Sequence, residues 1–209
     1  MMLQVLQAIS QICGWLYLIV WSLSVYPQTI LNYRLKSVAG FSLDFGIMNV
    51  CGYLLYSVYV VSGFIYPRLG TGHIYMVDLL FPTHSFIIAA AALAQVWIYE
   101  RGTQTGFSLK IILLLVFQFM VVLLIFTFEV AFGWKIPIII NTLLMTGYMK
   151  TITTFFKYCP QVYLNFTRRS TEGLSMHFVL FDLSGGVFAI IQQMIGKNTS
   201  MLNKVNYWM

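Results

Sequence analysis

Among the charged residues inside otherwise apolar runs of this chain, Lys150, Lys157 and Asp182 stand out. Lipid cannot solvate such groups, so an ionisable side chain in an apolar run marks a site or a pathway. Lys150 and Lys157 are nearly two helical turns apart. That spacing puts both on one face, about 10 Å apart along the axis. Two ammonium groups on one face suit a polar cavity that holds a carboxylate. Snorkelling to the membrane edge is the competing use, more credible for Lys157 than for Lys150. Asp182 is followed by Ser184-Gly185-Gly186. A carboxylate withdrawn from water favours its neutral form, which is what a proton carrier needs. The glycines allow a second helix to come close. A static pair with a lysine is the competing role.

A second feature is a duplicated helix breaker. Tyr26-Pro27-Gln28-Thr29-Ile30-Leu31-Asn32 recurs as Cys159-Pro160-Gln161-Val162-Tyr163-Leu164-Asn165, 133 residues later. The register holds downstream: Lys36-Ser37 matches Arg169-Ser170, Gly40 matches Gly173, and Ser42 matches Ser175. Asn49 aligns with Asp182. Proline removes an N–H and a bond to the carbonyl four residues back. Pro27 therefore frees the carbonyl of Leu23, and Pro160 that of Phe156. Gln28 and Gln161 offer amides that can satisfy local backbone. Each Pro-Gln pair can act as a hinge for alternating access; the competing reading is a static kink.

Asp44 and Asn49 open the second apolar run. Asp78 opens the third, where a helix N-cap is its simplest use. His84 reads as a satisfied buried histidine and Glu129 as an interfacial charge. Cys13, Cys51 and Cys159 all fall in apolar stretches without CxxC or Cys/His spacing, so no metal, disulfide or cofactor is expected. There is no Ser/His/Asp order, HExxH or phosphate-cradling glycine loop, so no enzyme is expected.

The elements that position these residues are membrane helices. The chain is 59% hydrophobic and 9% charged, against about 25% charged in soluble domains. A span needs about 20 mostly apolar residues. Six runs qualify: Ala8 to Tyr26, Phe45 to Tyr66, Met76 to Ile98, Leu109 to Phe132, Ile136 to Leu164, and Leu174 to Ile195. The net charge of +6 would suggest nucleic acid in a soluble chain. Here the cations fall mostly in loops and read as topology signals. Arg34, Lys36, Arg101, Lys110, Arg168 and Arg169 share one side; Arg68, Lys135, Lys197 and Lys204 share the other. The denser side is assigned to the cytosol. The Asn198-Thr199-Ser200 sequon then faces the opposite side and is expected to be unused. The first run lacks a cationic start and a cleavage site, and reads as an uncleaved anchor.

Three crossings separate the two Pro-Gln pairs, so both finish on the same side. This predicts an all-α membrane protein of parallel three-helix repeats joined by an inversion helix. The first repeat spans 1–98, the inversion helix and its loops 99–135, and the incomplete second repeat 136–209. Such a design has seven spans. Six are present, and 196–209 offers no seventh.

These motifs resemble the PQ-loop family. Tyr26–Phe45, Tyr99-Glu100-Arg101-Gly102 and Lys157–Gly186 resemble its lysosomal cystine/proton symporters, across nearly the whole chain. The resemblance implies cystine and a proton as partners, a multi-pass lysosomal membrane location and surrounding lipid. It places Tyr17, Trp21, Asn49, Lys150, Tyr158, Asn165 and Asp182 at the substrate, and Asp182 and Asp78 in proton coupling. Tyr17 and Trp21, one turn apart, would be aromatic walls. Phe178 departs from the family pattern, which has an asparagine there. A luminal domain, a seventh helix and a tail sorting signal of that family are also absent from this sequence. A carrier of cationic amino acids, a non-transporting receptor or scaffold, and a truncated fragment fit the same residues.

Overall fold

The computed structural model describes residues 2–66, 76–132 and 141–206, with side chains over 4–66, 79–132 and 141–196. Arg68, Lys135 and the side chains of Asp78, Lys197, Asn198 and Lys204 lie outside the described residues. The described chain is helical: α1 (Met2–Leu35), α2 (Leu43–Ile65), α3 (Met76–Ile98), α4 (Leu109–Ala131), α5 (Thr142–Phe156), α6 (Tyr158–Arg168) and α7 (Met176–Asn206). By length and composition, α1, α2, α3, α4 and α7 can each cross a membrane. α4 is the most apolar, with mean hydropathy 3.0.

The two prolines act differently. α1 does not end at Tyr26 as expected but continues to Leu35, with Pro27 inside it. Proline deletes a single backbone bond, and the turns beyond it are held elsewhere. Gln28 Nε2 donates to Asn32 Oδ1 at 2.7 Å, and Gln95 Nε2 of α3 donates to the Thr29 carbonyl at 3.0 Å. At Pro160 the helix parts instead. The expected single span Ile136 to Leu164 is two helices within the described residues, meeting at Lys157. The carbonyl that Pro160 frees belongs to Phe156, the last residue of α5. α7 also runs past Ile195, to Asn206.

Helix ends repeat the duplication. Ser42 accepts from Phe45 N at 3.3 Å to cap α2, and Ser175 accepts from Phe178 N at 3.3 Å before α7. α1 and α6 both stop on a left-handed residue, Lys36 and Arg169, each with φ 50°. Such a residue turns the chain out of the helix and exposes the last carbonyls to new donors. Arg169 N takes up the Phe166 carbonyl at 3.2 Å.

The chain forms two compact units, one of 1–27 with 175–209 and one of 28–174. The boundaries fall between Pro27 and Gln28 and between Leu174 and Ser175.

The larger unit has its tightest core at one end, around Val38, Leu43, Phe45 and Met48. There the loops after α1 and α6 meet through glutamines. Gln28 Nε2 donates to the Gly173 carbonyl at 3.0 Å. Gln161 Nε2 donates to the Gly40 carbonyl at 2.9 Å, and its Oε1 accepts from Ser42 N at 2.8 Å. Each Pro-Gln glutamine thus holds the loop of the other repeat. The α3–α4 linker adds a third strap. Gln104 Nε2 donates to the Phe41 carbonyl at 3.1 Å and its Oε1 accepts from Leu43 N at 3.1 Å. Val38 N donates to the Glu100 carbonyl at 2.8 Å.

Glycine is required where these loops cross. A Cβ on Gly40 would collide with the Glu172 carbonyl oxygen and the Gly173 backbone. Gly173 has φ +84°, and a Cβ there would lie 3.0 Å from Gly40 Cα. Gly40→Ala is therefore expected to cost at least about 1–3 kcal/mol, the range for overpacking. Gly106→Ala, with nothing within 4 Å, is expected to cost far less. Thermal unfolding in detergent checks this; equal midpoints for the two variants would remove the crossing as a constraint.

Candidate functional site

In the larger unit, α2 and α5 border a narrow, partly open cleft of about 20 Å³ lined by Met48, Asn49, Gly52, Tyr53, Lys150, Thr153, Thr154 and Lys157. Helical spacing delivers these side chains. Asn49, Gly52 and Tyr53 follow one stripe of α2. Lys150, Thr153 and Lys157 follow one stripe of α5 and its junction with α6. Gly52 faces Thr153, where a Cβ would meet Thr153 Cγ2 at 3.4 Å, an ordinary van der Waals contact.

Aromatic faces and amides hold the two ammonium groups. Lys150 Nζ lies 4.6 Å from the Tyr56 ring centroid. Lys157 is 8% exposed; its Nζ lies 3.4 Å from Asn49 Oδ1 and 4.8 Å from the Tyr158 centroid. Tyr158 packs in turn on Phe45, with centroids 5.5 Å apart. Cation–π contacts stabilise a desolvated ammonium by about 2 kcal/mol or more. A cleft with two cations and an amide is equipped to bind a carboxylate, while the Thr153 and Thr154 hydroxyls donate to Gln118 and to the Lys150 carbonyl.

Asn165 is placed elsewhere within this unit. Its Oδ1 accepts from Gln161 Nε2 at 3.0 Å, and it lines an open surface with Val162, Phe166, Arg169, Ser170 and Thr171. The Tyr158 hydroxyl has no partner among the described residues.

The smaller unit holds a separate cluster. Tyr17 and Trp21 meet edge to face with centroids 5.4 Å apart. Trp21 Nε1 donates to the backbone carbonyl of Asp182 at 3.1 Å. Gly185 lies against the Trp21 indole so closely that a Cβ would clash with it. The glycine beside Asp182 thus admits the aromatic wall. Phe178, buried at the start of α7, adds no polar group.

Several residues here were not singled out from the sequence. Thr153 lies midway between Lys150 and Lys157, at the i+3 spacing that the same stripe argument supplies. Lys157, singled out together with Lys150, stands against Asn49. Gln118 of α4 accepts from Thr153 Oγ1 at 2.8 Å. Glu129 is not an interfacial charge: it is 1% exposed and accepts from Thr142 N at 2.9 Å and from the Thr142 hydroxyl. The sequence signal was present, as Gln118 and Glu129 eleven residues apart in the most apolar helix. Among the described residues, no His/Cys/Asp/Glu group is arranged to hold a metal ion.

Apolar helices, a duplicated Pro-Gln element and a lysine-lined cleft define a multi-pass helical membrane protein built by internal duplication. The PQ loop repeat model matches twice, over 9–64 and 143–200. The chain belongs to the PQ-loop family. It is 40% identical to "Cystinosin homolog" of Dictyostelium discoideum, over 91% of this chain and 69% of the relative. It is 35% identical to "Cystinosin" of Bos taurus, over 91% of this chain and 54% of the relative. It is 26% identical to "Cystine transporter" of Saccharomyces cerevisiae, over 88% of this chain and 78% of the relative. The chain therefore spans about half the length of the bovine relative.

Proposed function

We propose that this protein is a proton-coupled carrier that moves cystine from the lysosomal lumen to the cytosol. The observation that carries the reading is the cleft in which Lys150, Lys157 and Asn49 converge, in a family whose relatives are named for cystine. Cystine presents two carboxylates and two ammonium groups. In this reading Lys150 holds a carboxylate, and Asn49 and Asn165 bond head groups. Tyr17, Trp21 and Tyr158 supply aromatic walls. Asp182, with Asp78, carries the proton in from an acid lumen. The Pro27 and Pro160 kinks are the hinges. A boundary between compact units directly after Pro27 supports the first hinge. The clamps at Gln28 and Gln161 would then be bonds that open as the hinges move. Repeats over 1–98 and 136–209, joined by 99–135, supply the framework in lipid, with both clamped loops at the cytosol.

Two lysines in one cleft speak against cationic amino acids as substrate, since like charges in a desolvated site repel strongly. A receptor or scaffold, or an inactive fragment, would bind without flux. Reconstituted vesicles loaded at acid pH with radiolabelled cystine separate these readings. Release that accelerates with the pH gradient is expected. Binding without release, or release of labelled lysine in preference to cystine, would overturn the proposal.

A further inference from the structure

α4 carries none of the side chains assigned to substrate or proton, yet it is built in an unusual way. Its buried residues are Leu115, Gln118 and Glu129. The rest of its length is half-buried or exposed, with large apolar side chains such as Leu113, Phe117 and Leu124 facing outward. The most apolar helix thus buries two polar groups, and both are spent on α5. Gln118 Oε1 takes the Thr153 hydroxyl at 2.8 Å, a proton shared with the Met149 carbonyl at 3.0 Å. Glu129 takes the backbone N–H and hydroxyl of Thr142, the first residue of α5.

The spacing of these contacts matters. Gln118 and Glu129 are eleven residues apart, and so are Thr142 and Thr153. Two rungs about 16 Å apart join the two helices. In lipid, apolar faces give helices little preference for one rotation or register over another. Hydrogen bonds do give that preference, because a broken rung leaves a polar group in a dry interface. Two rungs at separate heights fix both sliding and rotation. The lower rung ends on Thr153, which lines the cleft one turn from both Lys150 and Lys157. The upper rung sits where α5 begins, beside the Asn141 cap that accepts from Leu144 N at 2.8 Å.

We infer that Gln118 and Glu129 are positioning residues: α4 is a two-rung polar brace that holds α5 so that Lys150, Thr153 and Lys157 face the substrate. This rests on the carrier reading for what the cleft binds. Stability alone does not account for the brace. Gln118 Nε2 has no partner among the described residues, and an apolar side chain there would remove that buried donor.

The test uses the full chain in reconstituted vesicles, with cystine flux normalised to inserted protein. Gln118→Leu and Glu129→Leu should each raise KM roughly tenfold, the effect of losing about one well-placed bond at the site. Glu129→Gln keeps an acceptor for Thr142 N and should stay close to wild type. Leu113→Ala, on the outward face, should leave KM unchanged. A second measurement needs no substrate: spin labels at exposed positions 117 and 155 report the α4–α5 distance by pulsed EPR. The distribution should broaden in Glu129→Leu and stay narrow in Glu129→Gln. An unchanged KM with only less inserted protein would reduce the rungs to ordinary packing. An unchanged distance distribution would remove the brace altogether. If the wild type carries no cystine while Glu129→Leu still broadens the distribution, the carrier reading fails and the brace survives.

Discussion

Replacing Lys150 with methionine is expected to raise the cystine concentration for half-maximal flux roughly 10–100-fold. A hydrogen bond to a charged group contributes about 1.5–3 kcal/mol, and each 1.4 kcal/mol is a factor of ten. Methionine keeps the unbranched stem, so packing along α5 changes little. The ammonium near the Tyr56 ring is what is lost, at 4.6 Å from its centroid. Lys157→Met is a weaker test of binding. That side chain also touches Asn49 at 3.4 Å and stands at the junction of α5 and α6. Its loss mixes local structure with recognition. Flux against concentration for Lys150→Met, normalised to inserted protein, decides the matter. A KM within about twofold of wild type would remove Lys150 from the site, because a charge-assisted bond cannot contribute so little.

The residues behind that prediction were legible because lipid makes them conspicuous. Lys150, Lys157 and Asp182 stand out in apolar runs, whereas Asn49 joined Lys150 only through the family resemblance, and its contact is with Lys157. Thr153 was missed although the same stripe contains it, because a threonine carries no electrostatic cost that draws notice. Glu129 was misread because position along a helix does not show which face it occupies. Its burial depends on Thr142, a residue across an interhelical gap, and a single sequence does not encode that pairing.

The helix ends show a similar limit. The expectation that the first span stops at Tyr26 followed the end of the apolar run, with Pro27 read as a kink or hinge. Whether a helix survives the bond lost at Pro27 depends on neighbours such as Gln95, which supports the Thr29 carbonyl from α3. The Pro-Gln glutamines gave the clearest gap between pattern and geometry. Their amides were expected to serve local backbone. They reach instead to Gly173 and Gly40, 145 and 121 residues away in sequence. The register of the repeat had already paired these two glycines. What it did not show was that the loops cross there, each clamped by the other's glutamine.

Asp182→Asn is expected to abolish cystine movement driven by a pH gradient while leaving exchange of cystine across the membrane. Asparagine matches aspartate in size. The Trp21 bond goes to the backbone carbonyl of residue 182, at 3.1 Å, so the substitution leaves that acceptor in place. The close fit of Gly185 on the indole is likewise unaffected. In the proposed carrier cycle, what disappears is the group that takes a proton on one side and releases it on the other. One pH unit corresponds to about 1.4 kcal/mol, so a gradient of about two units drives roughly 100-fold accumulation when one proton moves with one substrate. Without a titrating group that factor falls to one. The sign is fixed: protonation is favoured on the acid side and release on the alkaline side, so net flux runs from acid to alkaline. Two measurements on the same vesicles check this, uptake under an imposed gradient and equilibrium counterflow without one. Gradient-driven accumulation at the wild-type level in Asp182→Asn would exclude this carboxylate as the coupling group and turn attention to Asp78. Loss of both activities, with the protein inserted, would make Asp182 a substrate contact rather than the proton carrier.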